Sequence, residues 1–254
     1  MDYYLVHLSD IHVGEGGFAS KKAATCIKEV NDFSPDLVVI TGDLTEKGLL
    51  EEFEGVSELV KEINSRTIYL MGNHDARNVG FMHFQRLFGD LNSEFTDKNI
   101  SFLALDSSEP DLDVGHIGRE YYPQINRFFT DASSEIKIFA LHHHLIPMPL
   151  SGRERDIVMD AGDVLKMLTE MSVTITICGH KHVPFVWQVN NMIICSSGTV
   201  GSPRTRGIGT QSYVIHHFTD ERIEIKLKLI GKAGRTIATF QRIADGSVRR
   251  TKQE

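Results

Sequence analysis

Cysteine is scarce in this sequence, and the few that occur lack the spacing of a metal or redox site. Only 3 of the 254 residues are cysteine, and no Cys-x-x-Cys pair is present. Cys26, Cys178 and Cys195 each lie in an apolar stretch, so we expect buried free thiols in place of disulfides or a structural zinc site. A reducing, cytoplasmic setting is the corresponding expectation.

Long apolar runs and an excess of positive charge are also missing. No apolar run approaches the roughly 20 residues of a membrane helix, and Met1-Asp2-Tyr3-Tyr4 lacks the basic start of a secretory signal. The net charge of −7 argues against a general electrostatic grip on nucleic acid. We therefore expect no membrane partner, and nucleic acid is disfavoured as a partner.

Histidine, by contrast, is abundant, and several of the 12 histidines form short clusters with aspartate and one asparagine. Each cluster directly follows an apolar run of strand character. Strands hold backbone positions rigidly while the loops beyond them stay open, so these side chains can converge at one edge of a sheet. The five clusters are Asp10-Ile11-His12, Gly42-Asp43, Gly72-Asn73-His74-Asp75, His142-His143-His144 and Gly179-His180-Lys181-His182.

The apolar pattern predicts a four-layer αββα sandwich, an α/β fold in which helices flank two mixed β-sheets. Residues 4–71 follow a βαβαβ order, and residues 101–178 repeat the alternation of strand and helix. Beyond residue 185 the pattern is all strand. We expect one domain, 1–254, with a strand-rich C-terminal part from about residue 213.

The C-terminal part contains none of the five clusters, so we expect it to affect shape or association. Its last two predicted strands flank a turn at 231–234, and an exposed sheet edge there favours a homodimer. The alternative is that these strands complete the second sheet of a monomer. The tail Arg249–Glu254 is expected to be disordered.

The residue types in the clusters favour two-metal chemistry. Aspartate and asparagine oxygens and histidine nitrogens together suit Mn²⁺, Fe²⁺ or Zn²⁺. Seven ligands suffice for two ions if one carboxylate bridges them, and two ions roughly 3.5–4 Å apart can activate a water for displacement at phosphorus. The residues therefore favour hydrolysis of a small phosphate-ester substrate.

The order of the clusters resembles the calcineurin-like metallophosphoesterase superfamily. Within it, the chain is most similar to the class III cyclic-nucleotide and glycerophosphodiester phosphodiesterase branch. The matching motifs run from Asp10 to His182, nearly three-quarters of the chain. The resemblance implies an αββα sandwich with a binuclear metal centre.

The resemblance also implies a role for each matching residue. A water or hydroxide held between two metals would attack phosphorus, His74 would contact the phosphate and help the leaving oxygen, and Asp75 would orient His74. The implied ligands are Asp10, His12 and His182 for one metal, Asn73, His142 and His180 for the other, and Asp43 as the bridge.

Two departures narrow the choice within this superfamily. Purple acid phosphatases carry a tyrosine three residues after the bridging aspartate, whereas this chain has Glu46. Serine/threonine phosphatases read Gly-Asp-x-x-Asp-Arg-Gly, which the block from Gly42 to Gly48 only approximates. The first departure disfavours a purple acid phosphatase, and the second disfavours a serine/threonine phosphatase.

The leading prediction is metal-dependent hydrolysis of phosphate diesters, with cyclic nucleotides among the candidate substrates. A phosphomonoesterase with the same site is the alternative, because pocket loops decide between the two. A DNA nuclease would need a basic groove and usually a further domain. A non-catalytic scaffold would usually have lost ligands, whereas every expected position is filled here.

The remaining histidines and two arginines have simpler or open interpretations. His7, His216 and His217 are expected to be hydrogen-bonded core residues, and His143 is expected to be packed or hydrogen-bonded. The stripe Phe81, Phe84, Leu87 and Phe88 indicates the core side of a helix or, alternatively, a pocket wall. The sequence leaves open whether Arg204 and Arg206, in the loop 198–207, or His144 contact substrate.

Overall fold

Two mixed β-sheets pack face to face in the computed structural model. The structure describes residues 1–151, 156–206, 208–243 and 246–253, and for residues 252 and 253 it describes the backbone alone. With strands numbered in chain order, the first sheet contains β1 (Asp2–Leu8), β2 (Leu37–Thr41), β3 (Thr67–Leu70), β10 (Ser212–Thr219), β11 (Arg222–Leu229), β12 (Gly234–Arg242) and β13 (Val248–Gln253). Their order across the sheet is β13-β12-β11-β10-β1-β2-β3. The parallel pairs β1–β2 and β2–β3 form one half of this sheet.

The second sheet repeats the parallel arrangement. Its strands are β4 (Ser93–Asp97), β5 (Ile100–Ala104), β6 (Ile136–Ala140), β7 (Ile175–Cys178), β8 (Phe185–Val189) and β9 (Met192–Ser196). The order is β4-β5-β6-β7-β9-β8, with parallel pairing from β5 through β9.

Helices cover the outer face of each sheet and complete the four layers. The helices on the first sheet are α1 (Ser20–Phe33), α2 (Leu50–Val60) and α3 (Gly80–Phe88), and those on the second are α4 (Tyr122–Asp131) and α5 (Ala161–Glu170). Alternation along a strand separates the cores, because Leu5 faces the other sheet while Val6 faces the helices. The predicted αββα sandwich is confirmed. Within the described ranges, no helix has the length and apolarity needed to span a membrane.

The C-terminal part differs from three expectations. Its strands extend the first sheet and not the second. The predicted free edge at β12 is wrong, because β13 pairs with it in an antiparallel register. The expected disorder of Arg249–Glu254 is therefore also wrong as far as Gln253, since this pairing satisfies the backbone and Val248 is buried. Glu254 lies outside the described residues.

The clusters meet at one edge because β1, β2, β3, β6 and β7 all end there. Several of the loops that follow require an uncommon backbone. Gly42 has a φ of 90°, and a Cβ there would lie 2.6 Å from His142 Nδ1. Five of the predicted ligands also lie in the left-handed region, and none of them is glycine: Asp10 (φ 56°), His12 (55°), Asp43 (51°), His180 (71°) and His182 (56°).

Candidate metal centre

One group of donor atoms forms where the loops after β1 and β7 meet. His182 Nε2 lies 3.2 Å from Asp10 Oδ1 and 3.1 Å from His12 Nε2. His12 Nε2 lies 3.5 Å from Asp43 Oδ2. All four side chains are buried. Two imidazole nitrogens and two carboxylate oxygens therefore surround one small volume.

The other oxygen of Asp43 faces a second donor group. His142 Nε2 lies 3.4 Å from Asp43 Oδ1 and 3.2 Å from Asn73 Oδ1. His180 Nδ1 lies 2.9 Å from the same Asn73 oxygen. The structure thus brings all seven predicted ligand residues together in two groups that share Asp43.

These groups fit divalent cations. Asp10 Oδ1 is buried and accepts no hydrogen bond from the described residues. A buried carboxylate oxygen in this state needs compensating positive charge. The donors are all nitrogen and oxygen, a set that suits Mn²⁺, Fe²⁺ or Zn²⁺.

Contacts at Nδ1 hold the rings of three of these histidines in place. His142 Nδ1 donates to the Thr41 carbonyl oxygen at 2.6 Å, and His182 Nδ1 donates to the Arg204 carbonyl oxygen at 2.9 Å. His12 Nδ1 lies 2.9 Å from Glu46 Oε2. Because each Nδ1 is held in this way, Nε2 is the nitrogen of each ring that faces the donor group and could bind a metal, as is usual for histidine ligands.

A family model described as calcineurin-like phosphoesterase matches residues 3–184, well over half of the chain. The chain belongs to the calcineurin-like phosphoesterase family. It is accordingly a metal-dependent phosphoesterase, and the family together with the donor geometry implies divalent metal ions.

Named relatives of this phosphoesterase are cyclic nucleotide phosphodiesterases. The chain is 23% identical to the cAMP/cGMP dual specificity phosphodiesterase of Mycobacterium tuberculosis, with 98% of this chain and 85% of the relative covered. It is 24% identical to a probable cyclic nucleotide phosphodiesterase of Xenorhabdus bovienii, with coverages of 69% and 72%. Two further relatives named in the same way are matched over only 65% and 64% of their own lengths.

Among solved structures, the phosphoesterase resembles a dimetal phosphatase from Danio rerio. The TM-score is 0.72 at 13% sequence identity, with 92% of this chain and 98% of the other covered. At this identity the likeness shows the fold alone.

Electrostatics keep the shared carboxylate of the phosphoesterase ionised. Burial alone would raise the pKa of Asp43, but His142 and His74 hold it well below its usual range. Burial alone would lower the pKa of His142, but the Asp43 carboxylate raises it to about 9. Asp43 is therefore in the anionic form that a bridging ligand requires.

His74 lies in the wall of the pocket, where Glu46 holds its ring. His74 Nδ1 is 2.7 Å from the Glu46 carbonyl oxygen and 3.4 Å from Glu46 Oε2. A carbonyl oxygen can only accept, so Nδ1 donates to it at this short distance and does not accept from Arg77 Nη1, which is farther away at 3.2 Å. Nε2 is consequently the nitrogen left to interact with a bound ligand.

Asp75 does not hold the His74 ring, contrary to expectation. Its carboxylate is completely buried and accepts hydrogen bonds from the backbone N–H groups of Leu44 (3.0 Å), Thr45 (2.8 Å) and Gly72 (3.0 Å). Both Asp75 and His74 lie in the described part, and no hydrogen bond joins their side chains. These backbone donors lie in the loops after β2 and β3. Asp75 therefore holds these two loops together by hydrogen bonds to both.

A cavity of about 490 Å³ opens over the two donor groups. Lys181, Arg204 and Arg206 contribute positive charge to its lining. Arg204 is paired with Glu15 at 2.7 Å and with Glu46 at 2.9 Å. Lys181 is paired with Asp156 at 2.9 Å. Much of the positive charge around the cavity is therefore neutralised.

The structure also gives the surroundings of the other histidines, the Phe84 stripe and the two arginines singled out from the sequence. His143 Nδ1 is hydrogen-bonded to Ser107 Oγ at 2.9 Å, as expected, whereas the ring of His216 forms no hydrogen bond within the described part, so that expectation is wrong. His217 is hydrogen-bonded to Asp2 but is partly exposed and not a core residue. The stripe that contains Phe84 packs in the core beneath α3 and does not line the cavity. Arg204 and Arg206 do line it, His144 does not, and Gly207 lies outside the described residues.

Sequence reasoning missed three residues that support the site, Thr41, Glu46 and Asp113. Thr41 carries no signal in the sequence beyond following the apolar run 37–40. Glu46 stood out only as a departure from the purple acid phosphatase pattern. Asp113 lies in a loop without any periodic signal, and its contact with Asn73 depends on the fold.

Proposed function

We propose that this phosphoesterase hydrolyses phosphate diesters at a two-metal centre, with cyclic nucleotides as the substrate class. The main support is the position of the Asp43 carboxylate between the two donor groups. Its Oδ1 lies 3.4 Å from His142 Nε2, and its Oδ2 lies 3.5 Å from His12 Nε2. The relatives named as cyclic nucleotide phosphodiesterases support the choice of substrate.

The donor geometry supports a division of ligands between two ions. When bound, two divalent ions supply the Lewis acidity that activates a water and offsets negative charge on the phosphate oxygens. Mn²⁺, Fe²⁺ and Zn²⁺ are the candidates. The proposed ligands are Asp10, His12 and His182 at the first ion, Asn73, His142 and His180 at the second, and Asp43 at both.

Charge around the cavity favours diesters over monoesters. A phosphate diester carries one negative charge, whereas a monoester carries about −1.5 to −2 at pH 7. A monoester site therefore benefits from free cationic side chains. Glu15 and Glu46 neutralise Arg204, and Asp156 neutralises Lys181, which suits the less charged substrate.

His74 is the residue we assign to the leaving oxygen. Its Nδ1 donates to the Glu46 carbonyl oxygen, so Nε2 can hold a proton only in the imidazolium form. That proton can be transferred to the departing alkoxide as the bond to phosphorus breaks. The Asp43 carboxylate accepts a hydrogen bond from the His74 backbone N–H at 2.9 Å, which fixes the ring's position beside the centre.

A cytoplasmic location belongs to the same proposal. Cys26, Cys178 and Cys195 are all buried and free in the structure. Free thiols are the form expected in a reducing compartment.

The test compares substrates on one preparation of the full chain saturated with Mn²⁺. We expect turnover of bis-p-nitrophenyl phosphate and of cyclic AMP, with a higher kcat/KM than for p-nitrophenyl phosphate. Turnover no greater than that of Mn²⁺ alone, from folded protein, would contradict the catalytic function. A higher kcat/KM for the monoester would contradict the diester preference.

A matched pair of variants tests the charge argument. Glu15→Gln should remove one of the two carboxylates that pair with Arg204 and increase the ratio of monoester to diester turnover by about twofold to fivefold, the effect of roughly 0.5–1 kcal/mol. Glu109→Gln is the control, since Glu109 pairs with His116 and does not line the cavity. An unchanged ratio in Glu15→Gln would remove the charge argument.

A further inference from the structure

A second cluster of metal-type side chains lies between the two sheets. His7 on β1, Cys195 on β9 and His216 on β10 each offer a ligand atom within 4.8 Å of the other two. All three residues are completely buried. Because β1 and β10 belong to one sheet and β9 to the other, the cluster bridges the sandwich. None of the three belongs to the proposed phosphoesterase centre.

Three ring nitrogens in this cluster have no hydrogen-bond partner. They are His7 Nδ1 and both nitrogens of His216, judged against the whole described part of the chain. The surrounding core is apolar and includes Val214 and Phe218. Buried polar atoms are rarely left in this state, because nothing compensates for the water they lose. These nitrogens therefore point to a bound partner.

The hydrogen bonds of Thr41 leave His7 Nδ1 with a free lone pair. Thr41 Oγ1 donates to Ser9 Oγ at 2.9 Å, so it accepts from His7 Nε2–H at 3.0 Å. In a neutral imidazole the other nitrogen is then unprotonated. A metal-bound histidine usually donates its other ring N–H to an acceptor, and the Thr41 hydroxyl is that acceptor for His7.

Burial keeps both imidazoles in the neutral form that binds metals. It lowers the pKa of His216 to about 3. Burial and the neighbouring His216 ring hold the pKa of His7 well below its usual range. Neither ring therefore has to lose a proton to a metal at neutral pH.

We propose that His7, Cys195 and His216 form a third metal site, and that it suits a thiophilic monovalent ion, Cu⁺. On binding, the Cys195 thiol releases its proton to solvent, and the thiolate and two imidazole nitrogens donate to the ion without any change in its oxidation state. Bond lengths of about 2.0–2.3 Å place such donors about 3.5–4 Å apart, within reach of the observed cluster by a small contraction.

Charge and donor number select Cu⁺ over Zn²⁺. One thiolate cancels the charge of Cu⁺, whereas Zn²⁺ would leave one positive charge in an apolar core. Three donors also fall short of the four that Zn²⁺ usually takes, while thiolate is a ligand that Cu⁺ prefers.

The experiment uses the full reduced chain, refolded without oxygen in the presence of Mn²⁺ and of Cu⁺ supplied as its glutathione complex. Copper retained after gel filtration is counted by mass spectrometry, and its ligands are identified by X-ray absorption. Because the phosphoesterase centre offers only nitrogen and oxygen, a sulfur ligand reports on the new site alone. We expect one copper per chain with one sulfur and two nitrogen donors.

Variants assign the sulfur and the supporting hydroxyl. Cys195→Ser should lose the sulfur ligand and the near-ultraviolet sulfur-to-copper band, whereas Cys26→Ser, which alters another completely buried thiol, should keep both. Thr41→Val removes the hydroxyl behind His7 but keeps the carbonyl used by His142, and should weaken Cu⁺ affinity about 10–100-fold.

Three outcomes would overturn the proposal. These are no retained copper, copper bound by nitrogen and oxygen alone, and a sulfur band that survives in Cys195→Ser. X-ray absorption of the unaltered chain decides the first two even if Cys195→Ser does not fold.

Discussion

Asn73 Nδ2 donates a hydrogen bond to Asp113 Oδ1 at 3.1 Å, and this contact determines which end of the amide faces His142 and His180. The two ends of an asparagine amide are nearly equal in shape, so their orientation depends on hydrogen bonds. Asp113 is held in turn by Arg77 at 2.6 Å. An exposed carboxylate thus directs Asn73 Oδ1 into the second donor group.

Removal of Asp113 should therefore weaken one metal site selectively. We expect Asp113→Ala to reduce Mn²⁺ affinity at the site of Asn73 about 10–100-fold, because the amide can then present its NH₂ group. Affinity at the site of Asp10 should not change. Calorimetric titration with Mn²⁺ measures both, and Asp111→Ala, in the same loop, is the control. Equal weakening at both sites would contradict the orienting role.

The shared position of Asp43 predicts an unequal pair of variants. Asp43→Asn should cost more activity and more bound Mn²⁺ than His12→Ala, because Asp43 faces both donor groups whereas His12 belongs to one. Metal content and diester turnover are measured on the same samples. If the two variants lost activity equally and kept their metal, Asp43 would not be the bridge.

His74→Ala should lower kcat by roughly 10²–10⁴-fold while metal occupancy stays near normal, since His74 is assigned to the leaving oxygen. The loss should be smaller for diesters with good leaving groups, which need little protonation. Turnover of bis-p-nitrophenyl phosphate is compared with that of cyclic AMP. Equal losses for both substrates would leave His74 only an electrostatic role.

The buried His216 ring predicts a loss of stability in acid. Burial lowers its pKa from 6.5 to about 3. The unfolded chain therefore takes up a proton below about pH 6.5 that the folded chain does not bind until about pH 3, and the free energy of unfolding falls as pH decreases through that window. This single group contributes at most about 1.4 kcal/mol per pH unit.

Urea unfolding of the metal-free chain at several pH values measures this effect. His216→Phe should reduce the acid loss, while His217→Gln, on the same strand but with a partly exposed ring paired to Asp2, serves as the control. A pH profile of His216→Phe identical to that of the unaltered chain would contradict the prediction.

The homodimer remains a prediction, with its location changed. Since β13 and not β12 is the outer strand at the C-terminal edge of the first sheet, pairing of this edge with a second copy would use β13. Light scattering at micromolar concentrations should give twice the mass of one chain. A mass of one chain throughout this range would reject the dimer.

Site residues at the ends of strands could be predicted from the sequence. Contacts that depend on how loops pack against each other could not. An apolar strand followed by Asp10 or His142 places those side chains at a predictable edge. The contact of Asp75 with the backbone of Leu44 and Thr45 depends on how two loops meet, which periodicity does not encode. The strand β4 was missed because its burial is incomplete at every position.

The left-handed backbone of the metal-binding loops affects the choice of inactive proteins for capturing substrate. Asp10, His12 and Asp43 have a left-handed backbone, which costs an ordinary residue roughly 1–2 kcal/mol. An alanine at any of these positions would retain this cost and lose the contacts of the native side chain. Asparagine tolerates the same conformation and nearly matches aspartate in shape. Asp10→Asn and Asp43→Asn are therefore better traps than alanine variants, because a lost reaction in them is less easily confused with a rearranged loop.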